Sequence, residues 1–245
     1  MKVAFIGATR GMGRALARRM AERGDALFLL GRSPDELATS ARDLEARGAP
    51  RPVETAPLDL SRSESFAPGL EAAARALGGW DTLVVTAGEF GPQAELASDP
   101  GRLERLLHVN VTGTVVLCQM AAERLAARGG GTICAFGSVA GDRPRRSNYL
   151  YGASKAGLSA FLEGLGYAYG ERGVHVVCVR PGFVKTGMTA GLPVPPFAGE
   201  PDAVARTVLR ALDAGRPVVY APPVWRAIML VIRALPRAVM RRLQF

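Results

Sequence analysis

This chain of 245 residues holds only three cysteines and two histidines. Cys118, Cys134 and Cys178 stand far apart in apolar runs, which excludes a disulfide framework and predicts buried thiols in a reducing compartment. His108 and His175 are too few for most metal sites, so no metal is expected. Long hydrophobic runs are missing too. None reaches the ~18 apolar residues of a spanning helix. The apolar run VAFI near the N-terminus is far too short for the core of a signal peptide. These absences point to a cytoplasmic protein. No internal repeat or low-complexity linker interrupts the chain, and no domain boundary is expected before residue 223.

What is present is apolar and basic. Hydrophobic residues make up 48% of the chain, enough for one domain with a large core. The formal charge is +9, an excess that can serve nucleic acid, a membrane surface or an anionic cofactor. No basic stretch is interleaved with aromatics, so nucleic acid is not expected as a partner.

Short apolar runs alternate with helical patterns along the chain. Strands are predicted at 3–6, 26–30, 52–56, 82–88, 132–138, 175–182 and 217–223. Helices are predicted at 11–23, 34–47, 100–128, 149–172 and 201–214. Ser33, Pro34 and Glu36 predict a capped helix start, and Ser61 with Glu64 predicts a second capping box. This order gives an α/β single-domain Rossmann fold: a doubly wound parallel sheet of about seven strands with helices on both faces. Ligands of such sheets bind at the carboxyl ends of the strands.

The segment after the first strand is GATRGMG, with Gly7, Gly11 and Gly13. Glycines let the backbone approach a pyrophosphate, and the following helix offers its free N–H groups. The second strand ends Leu30-Gly31-Arg32-Ser33, with no acid to bind a ribose 2′-OH. Arg32, with Arg10 from the glycine loop, suits a 2′-phosphate, so NADP(H) is favoured over NAD(H). In YLYGASK, Tyr151 and Lys155 are four apart and lie within about 40° on a helix, whereas Tyr149 points roughly 120° away from Lys155. Only Tyr151 can share a face with the ammonium. Tyr149 is packing or pocket wall.

Read together, GATRGMG (7–13), TAG (86–88), HVNVTG (108–113), Ser138, YGASK (151–155) and RPGFVKT (180–186) resemble the short-chain dehydrogenase/reductase family over residues 1 to about 220. The resemblance implies a catalytic set of Asn110, Ser138, Tyr151 and Lys155. Tyr151 would exchange the proton with the substrate oxygen, and Lys155 would lower its pKa and bind the nicotinamide ribose. Ser138 would polarise the carbonyl, and Asn110 would hold a water. Cofactor contacts are implied for Gly7, Thr9, Arg10, Gly11, Met12, Gly13, Arg32, Ser33, Asp59, Leu60, Thr86, Ala87, Gly88, Pro181, Gly182, Val184 and Thr186, and for Tyr151 and Lys155 themselves. It also implies a homodimer or homotetramer built on the helices at 100–128 and 149–172. Two positions depart from the family pattern. Ile6 stands where Thr is usual, and Thr86 replaces an Asn.

The layout is a dinucleotide-binding and catalytic domain at 1–223, with a substrate lid at 183–200, and a tail at 224–245. The lid is apolar and proline-rich, which suits an amphiphilic substrate. Arg143, Arg145 and Arg146 stand at the expected pocket rim, either to attract a phosphate or as a solvated loop. The tail holds five arginines and no acid. Arg226, Arg233, Arg237 and Arg241 fall within roughly 80° of one helical wheel. Trp225, Ile228, Met229, Ile232, Leu235 and Val239 fill much of the remainder, and Pro236 should kink or split the helix. Such a tail fits a membrane surface on the inner face, or a protein interface. RRSNYLYGASKAG, RPGFVKTGM and the ending resemble bacterial reductases related to decaprenylphosphoryl-2-keto-ribose reductase. That likeness implies a lipid-linked keto-sugar substrate. A general reductase for small or acyl-chain carbonyls and a non-catalytic NADP(H) sensor are the alternatives.

Overall fold

Successive residues of a strand point to opposite faces of a sheet, and the first strand uses both. In the computed structural model, which describes residues 1–243, Val3 and Phe5 pack into one core and Ala4 and Ile6 into the other. Both sides are fully apolar, so the sheet is buried between two helical layers.

The strands are β1 (Lys2–Ile6), β2 (Ala26–Gly31), β3 (Thr55–Pro57), β4 (Thr82–Val85), β5 (Gly131–Phe136), β6 (Val174–Pro181) and β7 (Val218–Ala221). All pair in parallel, in the order β3-β2-β1-β4-β5-β6-β7. The order reverses between β1 and β4, which opens a crevice at their carboxyl ends. The helices are α1 (Gly11–Glu22), α2 (Pro34–Ala46), α3 (Phe66–Leu77), α4 (Gln93–Ser98), α5 (Pro100–Leu107), α6 (Thr114–Ala126), α7 (Tyr149–Tyr169), α8 (Pro201–Asp213), α9 (Val224–Ala234) and α10 (Arg237–Arg242). On one face Leu16 and Met20 of α1, Leu37 and Leu44 of α2, and Val208 of α8 cover the sheet. On the other, Phe66 and Leu70 of α3, Leu117 of α6, and Leu158 and Leu162 of α7 do so.

Several expectations need correction. The third strand lies at Thr55–Pro57, not 52–56, and has three residues. The predicted helix at 100–128 is broken by a wider π-turn at His108–Gly113, and α4 precedes it. Ser61 does not form a capping box with Glu64. Its hydroxyl donates to the Asp59 carboxylate at 2.8 Å, and the next helical turn starts at Ser63. The Ser33 cap is present, although long, with its Oγ accepting from Glu36 N at 3.4 Å. Pro236 ends the tail helix, which resumes as α10, so the arginines of the two halves do not share one straight wheel. Gln244 and Phe245 lie outside the described residues.

The π-turn is pressed against the loop after β3. A Cβ on Gly113 would fall inside the Leu60 carbonyl. Gly113→Ala should therefore cost about 1–3 kcal/mol of stability, through forced separation of two backbones. Urea unfolding checks this, and an unchanged midpoint would mean that the contact yields freely.

Candidate active site

The glycine loop closes on β4. Gly7 has φ +94° and Gly11 +53°, in the left-handed region that favours glycine. A Cβ on Gly7 would lie 2.6 Å from Thr86 Oγ1 and from Ala87 N, and one on Gly13 would strike the Gly7 carbonyl. Thr86 donates its hydroxyl to the Ile6 and Gly7 carbonyls at 3.2 and 3.0 Å. The residue that departs from the family pattern thus still ties the two central strands to the loop.

Around this loop the structure brings together most of the candidates for the cofactor. Gly7, Thr9, Gly11, Met12 and Gly13 follow β1, and Thr86, Ala87 and Gly88 follow β4. Asp59 and Leu60 follow β3. The Asp59 carboxylate accepts from Ser61 N at 2.9 Å. Burial would raise its pKa, but the Ser61 hydrogen bonds win and hold it below the usual carboxylate range. Pro181 and Gly182 end β6. Val184 bridges to Gly199, and Gly199 N bonds the Phe183 carbonyl at 2.8 Å, so the base of the 184–199 loop is pinned. The Thr186 methyl sits above Gly11, where an added Cβ would meet it at 3.5 Å.

The basic residues meant for a phosphate are on the surface at the β2 end. Arg32 is 61% exposed, and its nearest acid is Glu89, 3.9 Å away. Arg10 is also exposed and contacts Glu36, whose carboxyl it holds below its ordinary pKa. Ser33 caps α2 beside them.

The remaining four candidates converge at the ends of β4 and β5. Ser138 starts the turn after β5, and its Oγ accepts from Ala140 N at 3.1 Å. Tyr151 and Lys155 lie on the first turns of α7, with the ammonium 5.9 Å from the phenol ring centroid. Lys155 is 5% exposed and donates to the Phe136 carbonyl at 2.8 Å. Asn110, in the π-turn, is buried. Its amide exchanges hydrogen bonds with the Glu89 backbone, both at 2.8 Å, and donates to Ser154 Oγ at 3.2 Å. A Cβ on Gly88 would lie 3.0 Å from Asn110 Oδ1 and 3.4 Å from Lys155 Nζ, so the cofactor half and the polar cluster meet at that glycine. Tyr149 points elsewhere and is 49% exposed.

Burial sets the charges. It pushes the Tyr151 phenol up to about 12, with a hydrogen bond from the Ser138 side pulling the other way, so in the free protein the phenol lies above its ordinary value and not below it as the pairing with Lys155 predicts. It pulls Lys155 down to about 8. Tyr151 is therefore a protonated acid at neutral pH, beside an amine poised close to its own titration. This set can hand a proton to an oxygen and then hold the phenolate beside an ammonium.

Sequence reasoning missed several neighbours. The Phe90 ring meets Tyr151 edge-on at 5.1 Å, and Gln93 Oε1 accepts from Leu150 N at 3.1 Å. Trp225 packs against Gly182 and donates to the Phe197 carbonyl at 3.2 Å. Among these, only the aromatic at 225 following a Pro-Pro pair carried any local signal.

The family model described as short chain dehydrogenase matches residues 2–194. An uncharacterized oxidoreductase of Mycobacterium tuberculosis is 36% identical over 241 residues, 98% of this chain and 96% of that protein. Carbonyl reductase family member 4 of Xenopus tropicalis is 30% identical over 220 residues, 86% of this chain and 90% of that one. A solved short-chain dehydrogenase from Sphingobium yanoikuyae, in complex with NADPH, is 27% identical with a TM-score of 0.79, covering 97% of this chain and 98% of that one.

The Lys155 shift has a sign in stability. Its folded pKa lies below the ordinary value near 10.4, so the buried charge destabilises the fold below about pH 8. That cost fades as pH rises from about 8 toward 10.4. Urea unfolding of wild type and Lys155→Met should show wild type gaining about 2 kcal/mol on the variant between pH 7 and pH 10. A difference independent of pH would mean that the ammonium is not desolvated.

Proposed function

The chain belongs to the short-chain dehydrogenase family and is an oxidoreductase, and on that premise we propose that it is an NADPH-dependent carbonyl reductase with Tyr151 as proton donor. The observation that carries this reading is the half-buried Tyr151 and the buried Lys155 on one face of α7, with Ser138 facing the phenol. The Gly7–Gly13 turn, packed too closely on Thr86 and on itself to admit a Cβ at either glycine, leads into the N-terminus of α1 and suits a dinucleotide pyrophosphate. Gly182 and Thr186 would hold the nicotinamide end, and Asp59 and Leu60 the adenine end. The bound reduced nicotinamide would supply the hydride.

The chain's own residues then do the following. Ser138 donates to the ketone oxygen and orients it. Tyr151 delivers its proton as negative charge develops there, which its raised pKa in the free protein allows. The Lys155 ammonium stabilises the resulting phenolate. Asn110 holds the Glu89 backbone and Ser154 in place and would position the water that reloads the proton. Arg32, 61% exposed and held only by a long 3.9 Å ion pair to Glu89 among the described residues, would exchange that pair for a 2′-phosphate. The NADPH complex of the Sphingobium relative supports the same cofactor class.

The substrate in this reading is amphiphilic. Met188, Leu192, Val194 and Phe197 of the lid are exposed, as are Leu230, Val231 and Val239 of the tail. With five arginines and no acid, the tail suits an anionic membrane surface. No described helix is long and apolar enough to cross a membrane. A ketone on a lipid-linked sugar would use both features. Assembly as a homodimer or homotetramer through α5, α6 and α7 belongs to the same reading, with Val116 and Tyr167 exposed there. A general reductase of soluble ketones is the competing reading. It is favoured by the buried inner face of α9, which gives the tail a purpose without any lipid.

Tyr151→Phe should lower turnover by at least about a hundredfold while NADPH still binds, and Tyr149→Phe should do far less. NADPH oxidation is to be followed with a detergent-solubilised bacterial lipid extract containing oxidised polyprenyl-phosphate sugars, and with a panel of water-soluble ketones. Tyr151-dependent oxidation confined to the lipid pool supports the lipid-linked substrate, whereas oxidation confined to the soluble panel removes it. Arg32→Ala should weaken NADPH about tenfold more than NADH, and an unchanged ratio would take Arg32 out of the phosphate site.

A further inference from the structure

Each arginine at the β2 end faces an acid, and the two pairs differ. Arg10 contacts Glu36 closely. Arg32 has Glu89 within ion-pair reach, but at 3.9 Å, beyond hydrogen-bond distance. That carboxylate is already engaged. The same Oε1 accepts from Arg105 Nε of α5 at 2.9 Å. One acid is thus shared unequally between two arginines.

Glu89 itself stands on a fixed point. It follows Gly88 directly, and the Asn110 amide holds both its N–H and its carbonyl at 2.8 Å. The clamp uses only backbone atoms of Glu89, so the carboxylate can be changed without loosening it. The other acid nearby, Asp59, lies in the field of the same two arginines. Burial raises its carboxyl, the Ser61 hydrogen bonds lower it, and the Arg32 and Arg105 charges lower it further. Its Oδ1 is taken by Ser61, whose N and Oγ lie at 2.9 and 2.8 Å. Glu89 is therefore the acid whose side chain reaches toward Arg32. No acid stands at the end of β2. The loop after β4 supplies one instead.

We propose that Glu89 is a specificity-determining residue: its carboxylate competes with a 2′-phosphate for the Arg32 guanidinium, and Arg105 moderates the competition by holding that carboxylate. This rests on the NADP(H) reading and refines it. An acid beside the ribose opposes a 2′-phosphate and tolerates a 2′-OH. Glu89 thus lowers the preference for NADP(H) that Arg32 gives, and Arg105 restores part of it. NAD(H) brings no rival anion and leaves the Arg32–Glu89 pair in place.

The test is equilibrium binding of NADPH and of NADH at low salt, followed by nucleotide fluorescence. The readout is the ratio of the NADH Kd to the NADPH Kd. Exposed ion pairs change an equilibrium by a factor of about 1.5–5, which sets the scale. Glu89→Gln should raise the ratio about threefold, and Arg105→Ala should lower it about twofold. The double variant should match Glu89→Gln, because Arg105 acts through the carboxylate. Both changes should shrink at high salt. Lost packing would move the two nucleotides together and leave the ratio where it was. An unchanged ratio in Glu89→Gln overturns the proposal. So does a loss in Arg105→Ala that persists in the double variant, which would put Arg105 on the phosphate itself. Arg32→Ala separates these outcomes from failure of the NADP(H) reading. If it leaves the ratio unchanged, the phosphate site and the role of Glu89 fall together. If it lowers the ratio while Glu89→Gln does nothing, the phosphate site stands and Glu89 alone falls. Within Arg32→Ala, Glu89→Gln should lose most of its effect. An undiminished effect there would mean general charge repulsion and would remove the competition for Arg32.

Discussion

The ammonium of Lys155 is the constraint around which the site is arranged. It is buried, and Phe136 O is its hydrogen-bond acceptor among the described residues. A charge in that position is tolerable only if something polar is held against it. The carbonyl belongs to the last residue of β5, so α7 must lie close over the strand end. Glycines permit this. A Cβ on Gly141 would sit 2.6 Å from the Lys155 backbone, one on Gly152 2.8 Å from the Ala140 carbonyl, and one on Gly137 3.1 Å from Ser159 Oγ. Once α7 is seated, Tyr151 falls one turn before Lys155 and faces the Ser138 turn. The same burial that strains the lysine holds the tyrosine protonated.

The cofactor half is organised by a different contact. Thr86 holds the first glycine turn with one hydroxyl shared between two carbonyls. Because Gly7 and Gly13 are both pressed against it, the loop has little room to adopt another shape. The two halves join at Gly88, where Asn110 and Lys155 approach the backbone between them. A closely packed glycine turn on one side and a lysine tied to the Phe136 carbonyl on the other thus meet across one backbone position.

What could be read in the sequence was local. The short apolar run at 3–6 announced β1, Ser33 announced α2, and the four-residue spacing separated Tyr151 from Tyr149. Each depends on residues within one or two turns. The break at His108–Gly113 was not legible, because HVNVTG has no proline and keeps helical periodicity, and the π-turn arises where Gly113 meets the Leu60 backbone. The third strand pairs from Thr55 to Pro57, and Pro52 and Val53 lie before the ladder. Ser61 had a capping-box pattern, but Asp59 lies two residues away and captures its hydroxyl. Asp142, Arg180 and Tyr220 are scattered in the chain and meet only after β6 and β7 pair. Trp225 and Gly182 are likewise distant, and nothing near either one announces the other.

That last contact changes how the tail is understood. Trp225 and Met229 on the inner face of α9 are buried with Val139 and pack on Phe183 and Tyr220. The indole N–H holds the lid at Phe197, its ring excludes any side chain at Gly182, and Arg143 grips the end of the helix at Leu235. One helix thus touches the turn after β5, the turn after β6 and the lid. Its outer face is a different surface, with Leu230 at 73% exposure and Val231 at 63%. A straight amphipathic helix would have a single apolar side, whereas α9 has one apolar side spent on its own subunit and more apolar surface left over. Lid and tail are therefore joined through one side chain: Trp225 holds the Phe197 carbonyl with its indole N–H and leaves no room for a Cβ at Gly182.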